Sequence, residues 1–335
     1  MHNRLKFWVY LMSGIGILFT LMIVTLSFGA TRITLPEIMH AFFSFDQKNF
    51  VEVTVRNIRL PRWIADVIVG ASLSVAGAIM QGTTKNPMAD SGIMGISSGS
   101  TLGVVIVLAF FPSAGRMEKM MISAIGAALV TILIYIIAYV GKGRITSERM
   151  VLSGMTISTL LSSLTTAVIL KNGLMNQMIR YTSGSSANTI WKDIAIALPL
   201  FLLALMVAIA ISRSLTVMNL GEEVSVGLGA NTVLIRLLST IVVLVLSAIA
   251  VIVIGPVGYV GLMIPYIARY MVGTDFRLIL PICAVYGAIF VSFVDFVAKT
   301  IHPGLEFPIG LLITMIGVPF FIYVSRKQEG DGYNG

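Results

Sequence analysis

Few residues in this chain could do chemistry, and those few sit at the ends of long apolar runs. Arg56, Arg59 and Arg62 precede a run from Trp63 to Gly82 whose only charge is Asp66. Arg62 and Asp66 stand four apart, and so do Asp295 and Lys299 near the end of a later run. That spacing is one helical turn, so each pair can neutralise itself. Neither resembles a proton relay, which would place carboxylates near the middle of spans. Histidine occurs only at positions 2, 40 and 302, and the single cysteine is Cys283. These residues write neither a zinc-ligand spacing nor a thiolate cluster, so no metal site and no cofactor are expected. The phosphate-cradling pattern G-x-x-x-x-G-K-[ST] is absent, since Gly141-Lys142 is followed by Gly143-Arg144. The chain is therefore not expected to be an enzyme. Uphill transport would need ATP hydrolysed by a separate subunit, or an ion gradient.

The elements that must position these residues are membrane helices. Apolar residues make up 57% of the chain and charged ones 11%, against roughly 45–50% and 25% in soluble domains. Mean hydropathy is +0.94. The expected fold class is all-α, a polytopic membrane protein of about ten helices in a single domain over residues 1–335. The net charge of +8 suits anionic lipid or acidic partners. The basic residues are scattered over short loops, which argues against nucleic-acid binding.

Runs able to cross about 30 Å of hydrocarbon fall near 7–28, 63–82, 93–111, 119–140, 150–170, 194–212, 236–254, 278–298 and 308–325. The first exceeds the apolar core of a cleaved signal peptide and reads as a retained span. A shorter run near 258–271 lies between Gly255-Pro256 and Gly273-Thr274-Asp275. Such a segment survives in a membrane only where protein shields its ends. Basic residues divide almost evenly between the two sides. With the long segment 29–62 set aside, they favour both termini inside.

Small residues at Gly70, Ser74, Gly77 and Ala78 would let another helix's backbone approach the second span closely. Asn86-Pro87-Met88 closes the turn after it, and Thr146-Ser147 lies in the turn between spans four and five. Glycine-rich segments 91–103 and 255–261 fall in the two halves, a weak sign of an inverted repeat. In the outer segment, LPEIMHAFF reads as an interfacial helix, with Thr34 and Glu37 spaced as a capping box. Trp191 reads as an interfacial anchor beside a Ser/Gly-rich turn at 182–187. Between Arg213 and Arg236 the pattern writes two short helices outside the bilayer. Glu222 and Glu223 follow Gly221 at the start of the first, Gly227 and Gly229 end it, and Asn231 or Thr232 caps the second.

The order of these parts is specific. RLPR at 59–62, a small-residue helix, NPMAD at 86–90 and GIMGISSGS at 92–100 resemble the FecCD-type permease family of ABC importers for iron-siderophores, haem and cobalamin. GPVGYVGLMIPYIAR and FPIGLLITMIGVPFFIYV match that family too. The resemblance covers nearly the whole chain and implies a type II importer permease of ten spans in the bacterial cytoplasmic membrane, both termini cytoplasmic. It implies a ferric siderophore as cargo, with haem or cobalamin as alternatives; an ion-coupled secondary transporter is the reading from another class. It implies four kinds of partner: a second permease subunit, identical or a close relative; two ATP-binding subunits; an extracytoplasmic binding protein; and membrane lipid. By resemblance, Arg56, Arg59, Arg62 and Lys299 receive the binding protein. Gly221, Glu222, Glu223, Val224, Val226, Gly227, Leu228 and Gly229 dock the ATPase. Asn86, Pro87, Met88, Thr146 and Ser147 sit at the cytoplasmic gate. Arg59 is the strongest docking candidate, because Asp66 and Asp295 could neutralise Arg62 and Lys299.

Overall fold

The computed structural model describes residues 2–29, 31–90, 95–140, 147–219, 221–301 and 307–332. They form helices α1 (His2–Ser27), α2 (Leu35–Phe43), α3 (Phe50–Thr54), α4 (Leu60–Thr84), α5 (Ile96–Phe110), α6 (Arg116–Val140) and α7 (Ser147–Asn172). Then follow α8 (Met175–Thr182), α9 (Trp191–Asn219), α10 (Glu222–Gly227), α11 (Thr232–Val253), α12 (Val260–Val272), α13 (Phe276–Ile301) and α14 (Ile309–Gly332), with no strand among the described residues. A π-helical turn, Val55–Arg59, joins α3 to α4 without a break. Among the described residues, six helical stretches are long and apolar enough to cross a membrane, and shorter apolar stretches lie within α5, α6, α12 and α14. Within the described residues, each apolar run read from the sequence overlaps one of these helices.

The second of these runs, α4, is the axis of the bundle. It packs against α9, α11, α12 and α13 and is buried along most of its length. The small-residue stripe explains how. A methyl group on Gly70 would lie 2.1 Å from the carbonyl oxygen of Gly287, and one on Gly77 would lie 2.1 Å from that of Gly261. Backbone therefore touches backbone at two levels. Between them the Ser74 hydroxyl donates to the Cys283 carbonyl at 2.6 Å. In a membrane this close packing and hydrogen bonding hold helices together, because lipid is as apolar as the side chains.

The short run after Gly255-Pro256 becomes α12, whose 13 residues span only about 20 Å. Its start is buried against α4, where Gln81 donates to the Gly261 carbonyl at 3.1 Å and Arg269 donates to the Gln81 amide oxygen. Protein shields this end, as a broken span requires. On the other side, α5 also begins inside the bundle. Asp90, before α5, and Ser97, in its first turn, line one cavity of about 130 Å³ with Pro256, Val257 and Gly258. From there α5 and α12 run to opposite ends, labelled outer and inner after the expected orientation.

The capping box forms: the Thr34 N–H donates to the Glu37 carboxylate at 2.7 Å. Two expectations need correction. The interruption between Arg213 and Arg236 holds one short helix, not two. Nothing between Arg213 and Asn219 breaks a helix, so α9 continues to Asn219, while Asn231 caps the long α11 directly, its side chain accepting from the Leu234 N–H at 3.0 Å. The segment after α7 also contains α8, an amphipathic helix not anticipated from the polar composition around Asn176 and Gln177.

Candidate functional site

Three groups of residues were singled out by the sequence, and they fall at the two ends of the bundle. At the outer end the two local charge pairs fuse into one cluster. Arg62 turns its guanidinium onto Asp295, 233 residues away, with Nε at 3.0 Å and Nη2 at 2.7 Å from Oδ1. Lys299 Nζ lies 3.7 Å from the other oxygen of Asp295 and donates to the Thr25 carbonyl at 3.0 Å. The Ser186 hydroxyl donates to Asp295 at 3.3 Å, and Asp66 is fully buried beside the group. The Arg62 and Lys299 side chains are 15% and 14% exposed. Of the two expected self-neutralising pairs, Asp295 and Lys299 keep theirs, while Arg62 turns from Asp66 to Asp295, which makes one buried knot tying α1, α4 and α13. The reason is geometric: α13 crosses α4 so closely at Gly70 and Gly287 that Asp295 reaches Arg62.

Arg59 is also committed. Its guanidinium donates to the Leu26 carbonyl, which the end of α1 leaves open, and at 2.6 Å to the Thr31 carbonyl in the segment beyond it. Arg56 differs. It is exposed, its guanidinium carbon lies 4.6 Å from the Phe45 ring centroid, and its carbonyl accepts the Trp191 indole N–H at 2.9 Å. Of the four outer cations, Arg56 is the one presented to solvent on a fixed aromatic seat.

The outer knot has a partner element that the sequence reading missed. Residues 183–190, after α8, are laced to the surrounding helices. Ser185 N–H donates to the Ile254 carbonyl at 2.9 Å; Ile309 and Gly310 N–H donate to the Gly184 and Ser183 carbonyls, each at 3.2 Å. The only sequence signal was the Ser/Gly-rich turn itself, which does not name its partners.

At the inner end, α10 is held by Ser225, a buried residue the sequence reading passed over. Its hydroxyl donates to the Val217 carbonyl at 3.0 Å, and its carbonyl accepts from the Ala230 N–H at 3.0 Å. Gly221 stands at φ 137°, a conformation open to glycine, and lets the chain turn sharply out of α9. With its inner side pinned, α10 leaves Val224 and Val226 exposed, and Leu228 at its end is 66% exposed. Gly227 and Gly229 are exposed beside them. In the turn after α4, the Asn86 side chain accepts from the Met88 N–H at 2.9 Å, Pro87 is exposed, and Met88 is half-buried. Ser147 opens α7, while Thr146 lies outside the described residues.

A family model described as the FecCD transport family matches residues 17–327. The iron(3+)-hydroxamate import permease FhuB of Bacillus subtilis is 34% identical over 96% of this chain and 84% of its own length. The Fe(3+)-citrate import permease YfmD of the same organism is 34% identical over 91% of this chain and 90% of its own. The cobalamin import permease BtuC of Halobacterium salinarum is 34% identical over 83% and 74%. Among solved structures, an inward-facing conformation of a metal-chelate type ABC transporter superposes with a TM-score of 0.84 at 25% identity, covering 95% of this chain and 98% of that one.

Proposed function

Since this chain belongs to the FecCD transport family, we propose that it is the membrane-spanning permease subunit of an ATP-driven importer whose cargo is a ferric siderophore. It lies in the bacterial cytoplasmic membrane with both termini inside. A second permease subunit completes the pathway, two ATP-binding subunits sit at the inner end, and a binding protein delivers cargo at the outer end. Iron stays inside its chelate, so the chain needs no ligands for it. The observation that carries the reading is α10. A helix of six residues cannot be stable alone, yet it is fixed by Ser225 and presents unpaired apolar side chains, as a docking knob for another subunit would. Cobalamin is the second reading for the cargo, favoured by the similarity to a cobalamin permease.

The test couples two measurements. Glu222→Lys with Glu223→Lys, and separately Gly221→Pro, leave the chain inserted but abolish co-purification of the ATPase and its stimulation by loaded binding protein. Proline fixes φ near −65°, far from the 137° that Gly221 adopts. Unchanged stimulation in both variants would remove the coupling role of α10. Uptake of iron-loaded hydroxamate against labelled cobalamin, in cells carrying the intact importer, decides the cargo.

A further inference from the structure

A cavity of about 520 Å³ opens at the inner end, between the start of α1 and the turn from α12 to α13. Arg4, Phe7 and Trp8 line one side; Thr274, Asp275 and Arg277 line the other. The two guanidinium groups are not equivalent. Arg277 spends Nε and Nη2 on Asp275 at 3.0 and 2.7 Å, and these bonds hold the Asp275 carboxyl below the usual carboxylate range. Arg4 is exposed and makes no hydrogen bond or ion pair among the described residues. Among the described residues lining it, the cavity therefore carries one positive charge in excess and a second guanidinium with a donor to spare.

The walls change from polar to apolar along α1. Phe7 and Trp8 meet edge to face at 5.4 Å, and Trp8 remains 54% exposed. From Trp8 an exposed stripe continues through Met12, Ile15 and Phe19, residues whose spacing puts them on one helix face. An indole below a guanidinium, with an apolar stripe below the indole, repeats the layering of a phospholipid: phosphate, glycerol ester, acyl chain.

We propose that this cavity binds the phosphodiester headgroup of an anionic phospholipid, with an acyl chain lying along the α1 stripe. Free phosphate would satisfy Arg4 and Arg277 equally, but it has no use for the stripe. A zwitterionic headgroup would bring its own cation to a site that already has one in excess. The site also touches the proposed coupling element. Asp275 accepts from the Thr216 hydroxyl at 3.2 Å, and the Phe276 N–H donates to the same hydroxyl at 3.0 Å. Thr216 lies in the last turn of α9, just before α10. A bound headgroup thus braces the base from which α10 projects, a consequence that rests on the function proposed above; the binding itself does not.

The experiment is native mass spectrometry of the purified importer, without nucleotide, titrated with phosphatidylglycerol or phosphatidylcholine of matched chains. Phosphatidylglycerol is retained in preference, and Arg4→Gln weakens its binding about fivefold, the worth of one basic residue at an anionic surface. Arg4→Lys keeps most of it. Equal retention of the two lipids, or phosphatidylglycerol binding indifferent to Arg4→Gln, overturns the site. Displacement of the lipid by excess inorganic phosphate overturns the lipid assignment and leaves a simple anion site. Because binding is read without ATP hydrolysis, its failure is distinct from a failure of α10 to couple.

Discussion

Asp295 shows how a single carboxylate can settle the roles of its neighbours. It is 1% exposed and receives Arg62, Lys299 and the Ser186 hydroxyl. Removing one partner of a buried ion pair costs about 3–5 kcal/mol, because the other charge stays buried and uncompensated. Asp295→Asn is therefore expected to lower the thermal midpoint and the abundance of the protein in detergent, with uptake falling only as the protein is lost. Arg56→Glu is expected to do the opposite, keeping abundance while weakening capture of the binding protein. Exposed pairs contribute only about 0.2–1 kcal/mol, so charge reversal, which adds repulsion, should exceed Arg56→Ala. Docking that is indifferent to Arg56→Glu would take this residue out of the outer surface. The sequence made the four-residue spacings visible, yet ranked Arg59 above Arg56. Nothing local reveals that Arg59 satisfies a carbonyl at the end of α1, or that Asp295 reaches across 233 residues.

The element that was most legible is α4. Its small residues promised close approach, and the contacts with Gly287 and Gly261 deliver it. Gly77→Leu places a side chain where the backbone oxygen of α12 already stands, with no flexible group to yield. Overpacking of this kind costs about 1–3 kcal/mol, occasionally more, so this variant should fail to accumulate as folded protein. Gly16 has nothing within 4 Å of an added methyl, and Gly16→Ala is the matched control, expected to behave as wild type in a protease-resistance assay. Equal sensitivity of the two would contradict the packing. Helix boundaries outside the apolar runs were less legible. Extension of α9 to Asn219 adds polar residues to a helix, and composition alone reads those as loop. The short α8 was hidden for the same reason.

At the scale of the molecule, several helices carry apolar surface that the described residues do not cover, α7 and α14 among them. On α7, Leu152, Met155, Leu160 and Leu164 are exposed, and on α14, Leu311, Met315, Ile316 and Ile322 are. Lipid can cover such faces, and so can a second permease subunit. The Asn86–Met88 turn tests the latter. Met88→Cys, in a homodimer or opposite the matching position of a relative, should cross-link subunit to subunit with a yield that changes when nucleotide binds. A yield blind to nucleotide would remove the turn from the gate. Cys283 is fully buried, so the introduced thiol reports alone. Ten apolar runs and their hydrophobicity made the architecture readable in advance. Which faces meet was not readable, because small residues announce contact without naming the partner.

The central position of α4 has a consequence for how the protein is made. Translation finishes α4 at Thr84 and reaches the start of α13 at Phe276 only 192 residues later, roughly 10–40 s at a ribosome's pace of about 5–20 residues per second. Throughout that interval Ser74 waits for the Cys283 carbonyl and Arg62 for Asp295. Until Asp295 arrives, the acid within a helical turn of Arg62 is Asp66. The most protected helix of the finished protein thus spends that interval without one of its principal neighbours.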